Sequence, residues 1–417
     1  MKKNVLQRFF GSLGPGLITG AADDDPSGIA TYSTVGAHLG TSLLWMALVT
    51  WPLMAVVQMM CARIGMVTGQ GLVGALRQMF PRWLLIVASG ALFMANTINI
   101  GADLLGMSDA AEMLSRINLH YFVILFGVGI TWATIRLRYS AIARVLKWLA
   151  LFLFAYVIAA FEAGPDWAVV ARDTFIPSAP KGGEAFAALV AILGTTISPY
   201  LFFWQASQEI EEQKAMGHGR LSLRIGATSK ELSTRRFDVG VGTFFSNLIM
   251  FFIILTAALT LHRHGLTNIE TSRQAADALK PLAGPFAATL YSVGLIGVGL
   301  LAIPTLSGSA AYALAETFKW RQGLDQRLRG ARYFYGVVVL STASAIAMDF
   351  KGLNPIKALF WTAVINGLLA PFLLSGILIA ASDRKLMKEQ PIPMPSRVVV
   401  GLTAVAMFAA AVGMFVF

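Results

Sequence analysis

The sequence predicts an all-α integral membrane protein of about eleven spanning helices, ten of them in two inverted five-helix halves that each open on a broken helix. Three observations carry this. Hydrophobic residues make up 56% of the 417 and charged residues 13%, with a mean hydropathy of +0.66, whereas a soluble domain carries about 25% charge. Apolar runs of roughly 20 residues, long enough to cross a bilayer as helices, recur along the whole chain. The first and sixth of these runs are interrupted in mid-span by a proline flanked by small polar residues.

The runs fall at about 11–37, 42–66, 83–110, 119–138, 143–162, 184–210, 238–261, 285–317, 331–349, 355–381 and 397–416. Clusters such as RQMFPRW, FEAGPDW and EQPIPMPSR separate them. The longest polar connection, Glu211 to Asp238, is short and mixed in charge and reads as a loop with an amphipathic turn. The chain is therefore expected to be one transmembrane domain, 1–417, with repeats at about 11–162 and 184–381 and an additional helix at 397–416. MKKNVLQRFF is basic, but no small-residue cleavage site closes the apolar stretch after it, so the first helix is expected to stay as an anchor.

Charge sets the orientation. With a cytoplasmic N-terminus, successive inner loops hold 3, 3, 4, 6, 5 and 4 basic residues, or 25 of the 33. This positive-inside bias accounts for the net charge of +11 without a nucleic-acid partner. The lipid bilayer is the expected surrounding, and no obligate protein partner is evident. The odd number of spans puts the C-terminus outside, in a multi-pass protein of the plasma (inner) membrane. The lone Cys61 excludes an internal disulfide framework.

The first break is GAADDDPSGI, Gly20 to Ile29, and the second is Thr195-Thr196-Ile197-Ser198-Pro199-Tyr200. Proline removes a backbone donor and clashes with the preceding turn, so a helix kinks or unwinds there. Backbone freed at membrane depth is tolerated where it lines a cavity or water. Taken singly, the Pro199 break reads equally as a plain kink, and the aspartate run as an interfacial loop. Yet an Asp at a helix centre costs roughly 2.5–3.5 kcal/mol on insertion scales, and three would not persist without water, a partner or a cation. The breaks fall five spans apart, so the second copy runs inverted, the arrangement that points to a secondary transporter's site. Together they favour a cation site.

An Asp carboxylate, unwound carbonyls and hydroxyls form an all-oxygen set, which hard ions such as Mg2+, Ca2+ and Mn2+ prefer. The histidines (His38, His120, His218, His262, His264) lie in loops or near span ends, and no methionine lies within either break. The HRH at 262–264 reads as a solvated turn rather than a metal pair. Glu209, Glu211 and Glu212 read as a solvated charge run, with an ion-exit role as the alternative. Asn366 in the tenth span is an oxygen donor for a metal or for an interhelix hydrogen bond.

With GPGLITGAADDDPSG, NIGADLLGM, LGTTISPY and NGLLAPFLL in the first, third, sixth and tenth spans, the chain resembles the Nramp family of divalent metal transporters over nearly its whole length. That resemblance implies a LeuT-like fold. Asp25 and Pro26 match the family's Asp-Pro-Gly-Asn, while Ser27 replaces the glycine and Gly28 the coordinating asparagine. Of the sixth-span Met-Pro-His, Ser198 stands for the metal-binding methionine and Tyr200 for the histidine. Thr195 matches the position that offers a backbone carbonyl, and by the same spacing Ala22 could offer one in the first span. The implied metal set is Asp25, Gly28, Ser198, Thr195, Ala22 and Asn366, with Asp103, Tyr200 and Asp24 as relay or gate residues.

These departures resemble the Nramp-related magnesium transporters, whose roomier site takes a partly hydrated ion; small Gly28 and Ser198 would leave room for its waters. Asp103 matches one of the family's proton-carrying acids, but Asn96 and Gly106 stand where glutamates are expected. Asp103 could instead be locked to a ninth-span arginine such as Arg332. The expected function is passive uptake of Mg2+, with Mn2+ also carried, and the ion is substrate rather than cofactor. Across 100 mV a dication gains about 4.6 kcal/mol, twice the roughly 2.3 per charge. A proton-coupled Mn2+/Fe2+ importer is the alternative. An amino-acid transporter would have its substrate carboxylate repelled by three aspartates, and no nucleophile motif, His-rich cluster or phosphate loop supports a membrane enzyme.

Overall fold

The computed structural model describes residues 15–137, 149–178, 182–349 and 352–416. Lys2, Lys3 and Arg8, most of the Arg136 to Lys147 loop, and the beginnings of the first and fifth spans lie outside the described residues. Among the described residues, fourteen of the helices carry the architecture. The first span is α1 (Pro15–Asp23) and α2 (Pro26–Leu39), followed by α3 (Trp45–Thr68), α4 (Arg82–Ser115) and α5 (Leu119–Arg136). A 3-10 turn, Leu149–Phe154, leads into α6 (Ala155–Glu162), and α7 (Trp167–Phe175) connects it to the sixth span. That span is α8 (Gly183–Thr196) and α9 (Pro199–Ala215). Then come α10 (Ser229–Thr260), α11 (Ala287–Phe318), α12 (Arg332–Asp349), α13 (Pro355–Ser382) and α14 (Met394–Val416).

Eight helical segments among the described residues are long and apolar enough to cross a membrane. Both breaks occur where the prolines put them. Pro26 and Pro199 each take the first position of a half-helix, where a missing N–H costs nothing. Pro52, Pro304 and Pro371 instead sit inside continuous helices, so proline alone does not break a span here. Large apolar side chains such as Phe372 and Leu402 face outward, as lipid-facing surface does. The polar side chains of the breaks are inside.

The connection from Glu211 to Asp238 is mostly helical, which corrects the loop expectation. Helix α9 runs on to Ala215, and α10 starts at Ser229 with a capping box between Thr228 and Glu231. That sequence, TSKE, satisfies two orphan amides at once.

Close backbone contacts hold the half-helices in place. Helix α10 lies along both α1 and α2, and α8 lies along α13. A Cβ on Gly20 would stand 2.5 Å from the Gly242 carbonyl carbon of α10. One on Gly194 would overlap the Ala363 carbonyl oxygen of α13. Only glycine permits either approach.

Candidate functional site at the paired helix breaks

Helix α1 ends at Asp23 and α8 at Thr196, so the C-terminal carbonyl ends of two half-helices are directed at the breaks. These ends carry partial negative charge, and the opposing helices begin with Pro26 and Pro199, which lack N–H donors. The first turns of α2 and α9 face the same breaks with partial positive charge, so side chains decide the sign of the site. Asp25 adds a full charge. It is 2% exposed and caps α2, with Oδ1 accepting the Gly28 N–H at 2.7 Å. Its Oδ2 accepts from Asn99 of α4 at 3.1 Å. Asp103, one turn beyond Asn99, is fully buried beside Asp25, and neither of its carboxylate oxygens has a well-formed hydrogen bond. Ser27 is anchored to α13, donating to the Leu359 carbonyl at 3.0 Å with Thr362 Oγ1 at 3.2 Å.

Asp23 and Asp24 turn to α10, where the Ser246 hydroxyl lies 2.6 Å from Asp23 Oδ2 and 3.2 Å from Asp24 Oδ1. In the second break, Ser198 occupies the cap position of α9 but makes no forward cap. Its hydroxyl donates backward, to the Gly194 and Thr195 carbonyls at 2.9 and 2.6 Å. Tyr200 joins the breaks: its hydroxyl donates to the Ala22 carbonyl at 2.8 Å. Both carbonyls implied as ligands, Ala22 and Thr195, therefore already accept one hydroxyl each and keep one lone pair.

Gly28 is a point of close approach. A Cβ there would lie 3.1 Å from Thr195 Oγ1 and 3.4 Å from the Tyr32 ring, so the space imagined over Gly28 is narrow in this state. Asn366 is 3% exposed, its Oδ1 has no partner, and no hydrogen bond joins it to either break. Asn96 is committed to α11, donating to Leu306 O and Ser309 Oγ at 2.8 Å each. Arg332 does not lock Asp103: it lies at the exposed start of α12, donating to the Tyr333 hydroxyl at 2.9 Å.

A second polar cluster seals the far end of α1. Glu209 is 1% exposed, so the solvated charge run expected there is corrected. Arg235 of α10 pairs with Glu209 at 2.8 Å, with Glu212, and with Asp238 at 2.7 Å. Asp238 also accepts the Gly16 N–H at 2.8 Å. Gln205 links Glu209 to Thr19 of α1, both at 2.7 Å. At the opposite end, a cavity of about 810 Å³ opens between α2, α8 and α13, lined by Thr34, His38, Glu184, Ala188, Lys357 and Phe360. The α1 side is thus closed by paired polar groups, and the α2 side holds a hollow. The histidines stay away from the breaks; His262 and His264 bond the Ala37 and Thr260 carbonyls, at 2.8 and 2.7 Å.

Sequence reasoning missed Asn99, Ser246, Tyr32 and Arg235. Asn99 was legible as the residue one turn before Asp103 on the same helix face. Ser246 had a signal too, the polar pair Ser246-Asn247 inside an otherwise apolar span.

Residues 16–417 match the family model described as Nramp, natural resistance-associated macrophage protein-like. A divalent metal cation transporter MntH of Caldanaerobacter subterraneus subsp. tengcongensis is 26% identical over 393 residues, covering 92% of this chain and 87% of that protein. Among solved structures, a manganese transporter of Eremococcus coleocola superposes with a TM-score of 0.75 at 16% identity, over 99% of this chain and 87% of that one. MhsT in complex with L-phenylalanine superposes at 0.58 and 12% identity, over 95% and 98%. The fold is the LeuT-like one, with broken first and sixth spans.

Proposed function

This chain belongs to the Nramp family, and from that premise we propose that it carries a divalent metal ion across the membrane by alternating access around the paired breaks. It is a transporter, not an enzyme. The proposed cargo is Mg2+, with Mn2+ also carried, moved by the membrane potential without strong proton coupling. The ion is substrate and no resident cofactor is part of this reading. One observation carries the cargo assignment: the buried Asp25 carboxylate, held by N–H groups of Gly28 and Asn99, stands beside a second carboxylate, and the breaks offer hydroxyls and carbonyls but no sulfur or imidazole. Mg2+ favours such oxygen donors and keeps several of its waters.

In this reading Asp25 and a free lone pair of the Ala22 and Thr195 carbonyls hold the ion. Ser198 and Tyr200 shape the second wall, Gly28 sets how closely α2 approaches α8, and Asn366 contributes an oxygen when α13 moves. Access then switches by releasing α1 from α9 and α10 while the α2 side closes. The repeats are 11–162 and 184–381, and 397–416 is an added helix. The protein sits in the plasma membrane with its N-terminus cytoplasmic and its C-terminus outside.

A second reading, proton-coupled import of Mn2+ or Fe2+, is favoured by Asp103, whose buried, unpaired carboxylate beside Asp25 is able to carry a proton. Uptake of Mg2+, Mn2+ and Ca2+ into proteoliposomes loaded with a pH dye separates the two. The expected result is Mg2+ and Mn2+ uptake without acidification, lost in Asp25→Ala. Mn2+ uptake with acidification and no Mg2+ uptake would overturn the first reading in favour of the second.

A further inference from the structure

Four carboxylates meet at the breaks: Asp23, Asp24 and Asp25 from the first span and Asp103 from α4, each at most 5% exposed. They face two ways. Asp25 turns to α4, with Asn99 donating to it and Asp103 beside it. Asp23 and Asp24 turn to α10 and share the Ser246 hydroxyl. One dication on the α4 face balances two negative charges and leaves the other two. Among the described residues no basic side chain is shown pairing with them: the buried arginine of α10, Arg235, is held by Glu209, Glu212 and Asp238. Ser246 is neutral, and its single proton satisfies only one of the two carboxylates at a time.

Two further observations point into the space between Asp23 and Asp24. Asp23 Oδ1 has no hydrogen-bond partner although Asp23 is fully buried. The Tyr32 hydroxyl of α2, also fully buried, makes no well-formed hydrogen bond, and its polar neighbours are Thr195 and the aspartates of the first break. Buried polar groups are otherwise almost always satisfied. Two carboxylates and two hydroxyls, with no sulfur or imidazole, form a hard-cation donor set, and two negative charges match a divalent ion.

We infer that Asp23, Asp24, Ser246 and Tyr32 form a second divalent-cation site on the α10 face of the break, separate from the one centred on Asp25. An ion there ties the broken end of α1 to α10 and α2. This goes beyond the transport reading and stands whichever ion the Asp25 site carries.

The test is Mn2+ titration of the purified full chain in detergent, by equilibrium dialysis with electron paramagnetic resonance on the same samples. Wild type should bind two ions per chain and show the dipolar broadening of neighbouring Mn2+ centres. Asp23→Asn should bind one, with a sharp spectrum. Ser246→Ala, which removes no charge, should bind its second ion about tenfold more weakly and serves if Asp23→Asn does not fold. Asp25→Asn should keep one ion while losing uptake. A single ion in wild type that Asp25→Asn abolishes would overturn the second site and leave the transport reading intact. A second ion held unchanged in both Asp23→Asn and Ser246→Ala overturns it as well.

Discussion

In the first break Asp25 caps α2 forward, taking the Gly28 N–H at 2.7 Å. In the second, Ser198 stands at the equivalent position before Pro199 and turns its hydroxyl backward, onto the carbonyls of Gly194 and Thr195. The backbones are alike: a half-helix ends, one or two residues run extended, and proline starts the next helix. The side chains divide the work. Of the two breaks, only the first brings charged side chains, and Asn99 and Asp103 of α4 gather around it. The second break brings neutral hydroxyls and ties itself to the first through Tyr200 and Ala22. In the proposed reading, affinity for a cation resides in the first break, and the fit around that cation in the second.

The most direct way to break this comparison is to move the charge. Asp25→Ser, which makes the first break resemble the second, is expected to lower uptake about 100-fold, near 2.7 kcal/mol at 1.36 kcal/mol per tenfold. Adding Ser198→Asp to that variant should not restore it, because Asn99 and Asp103 stand on the other side. Recovery in liposome flux assays would refute the division of labour. Asp103→Asn keeps the shape and removes one charge, so half-saturating Mg2+ should rise about tenfold with the maximal rate little changed. If Asp103 carries protons instead, the same variant abolishes acidification during Mn2+ uptake. Ser198→Met supplies the soft ligand that the second break lacks. Mn2+ or Cd2+ should then gain on Mg2+ by roughly fivefold in competition, since thioether sulfur favours softer ions. Tyr200→Phe deletes one hydrogen bond of about 1 kcal/mol, and the expected effect is a change of a few-fold in rate with the ion preference kept.

Much of this could be read from the chain, because membrane helices are governed by a simple length rule. Most span ends fall within a few residues of expectation. Helix α10 is the exception, beginning nine residues before the expected 238. Its first turns are polar and so did not register as membrane helix; they fold over α9 and bury Glu209. The fourfold cluster around Arg235 followed from that packing, which no local pattern encodes. The Asp103–Arg332 lock failed on depth. Arg332 and Arg82 both begin spans that run in the same direction in the proposed topology, and Asp103 lies about twenty residues along α4, roughly 30 Å further at 1.5 Å per residue. Within the site, Asp25 was legible because three aspartates beside a proline violate the membrane's composition. Asn99 and Ser246 were harder to see because lone polar residues in a span usually serve helix packing.

In the proposed function an ionised carboxylate at position 25 holds the transported ion. The initial rate of Mg2+ uptake into proteoliposomes, at an inside-negative potential and matched protein density, tests it in wild type against Asp25→Asn, an isosteric change that removes only the charge. Saturable uptake is expected in wild type and background in the variant. Equal rates in the two would contradict it.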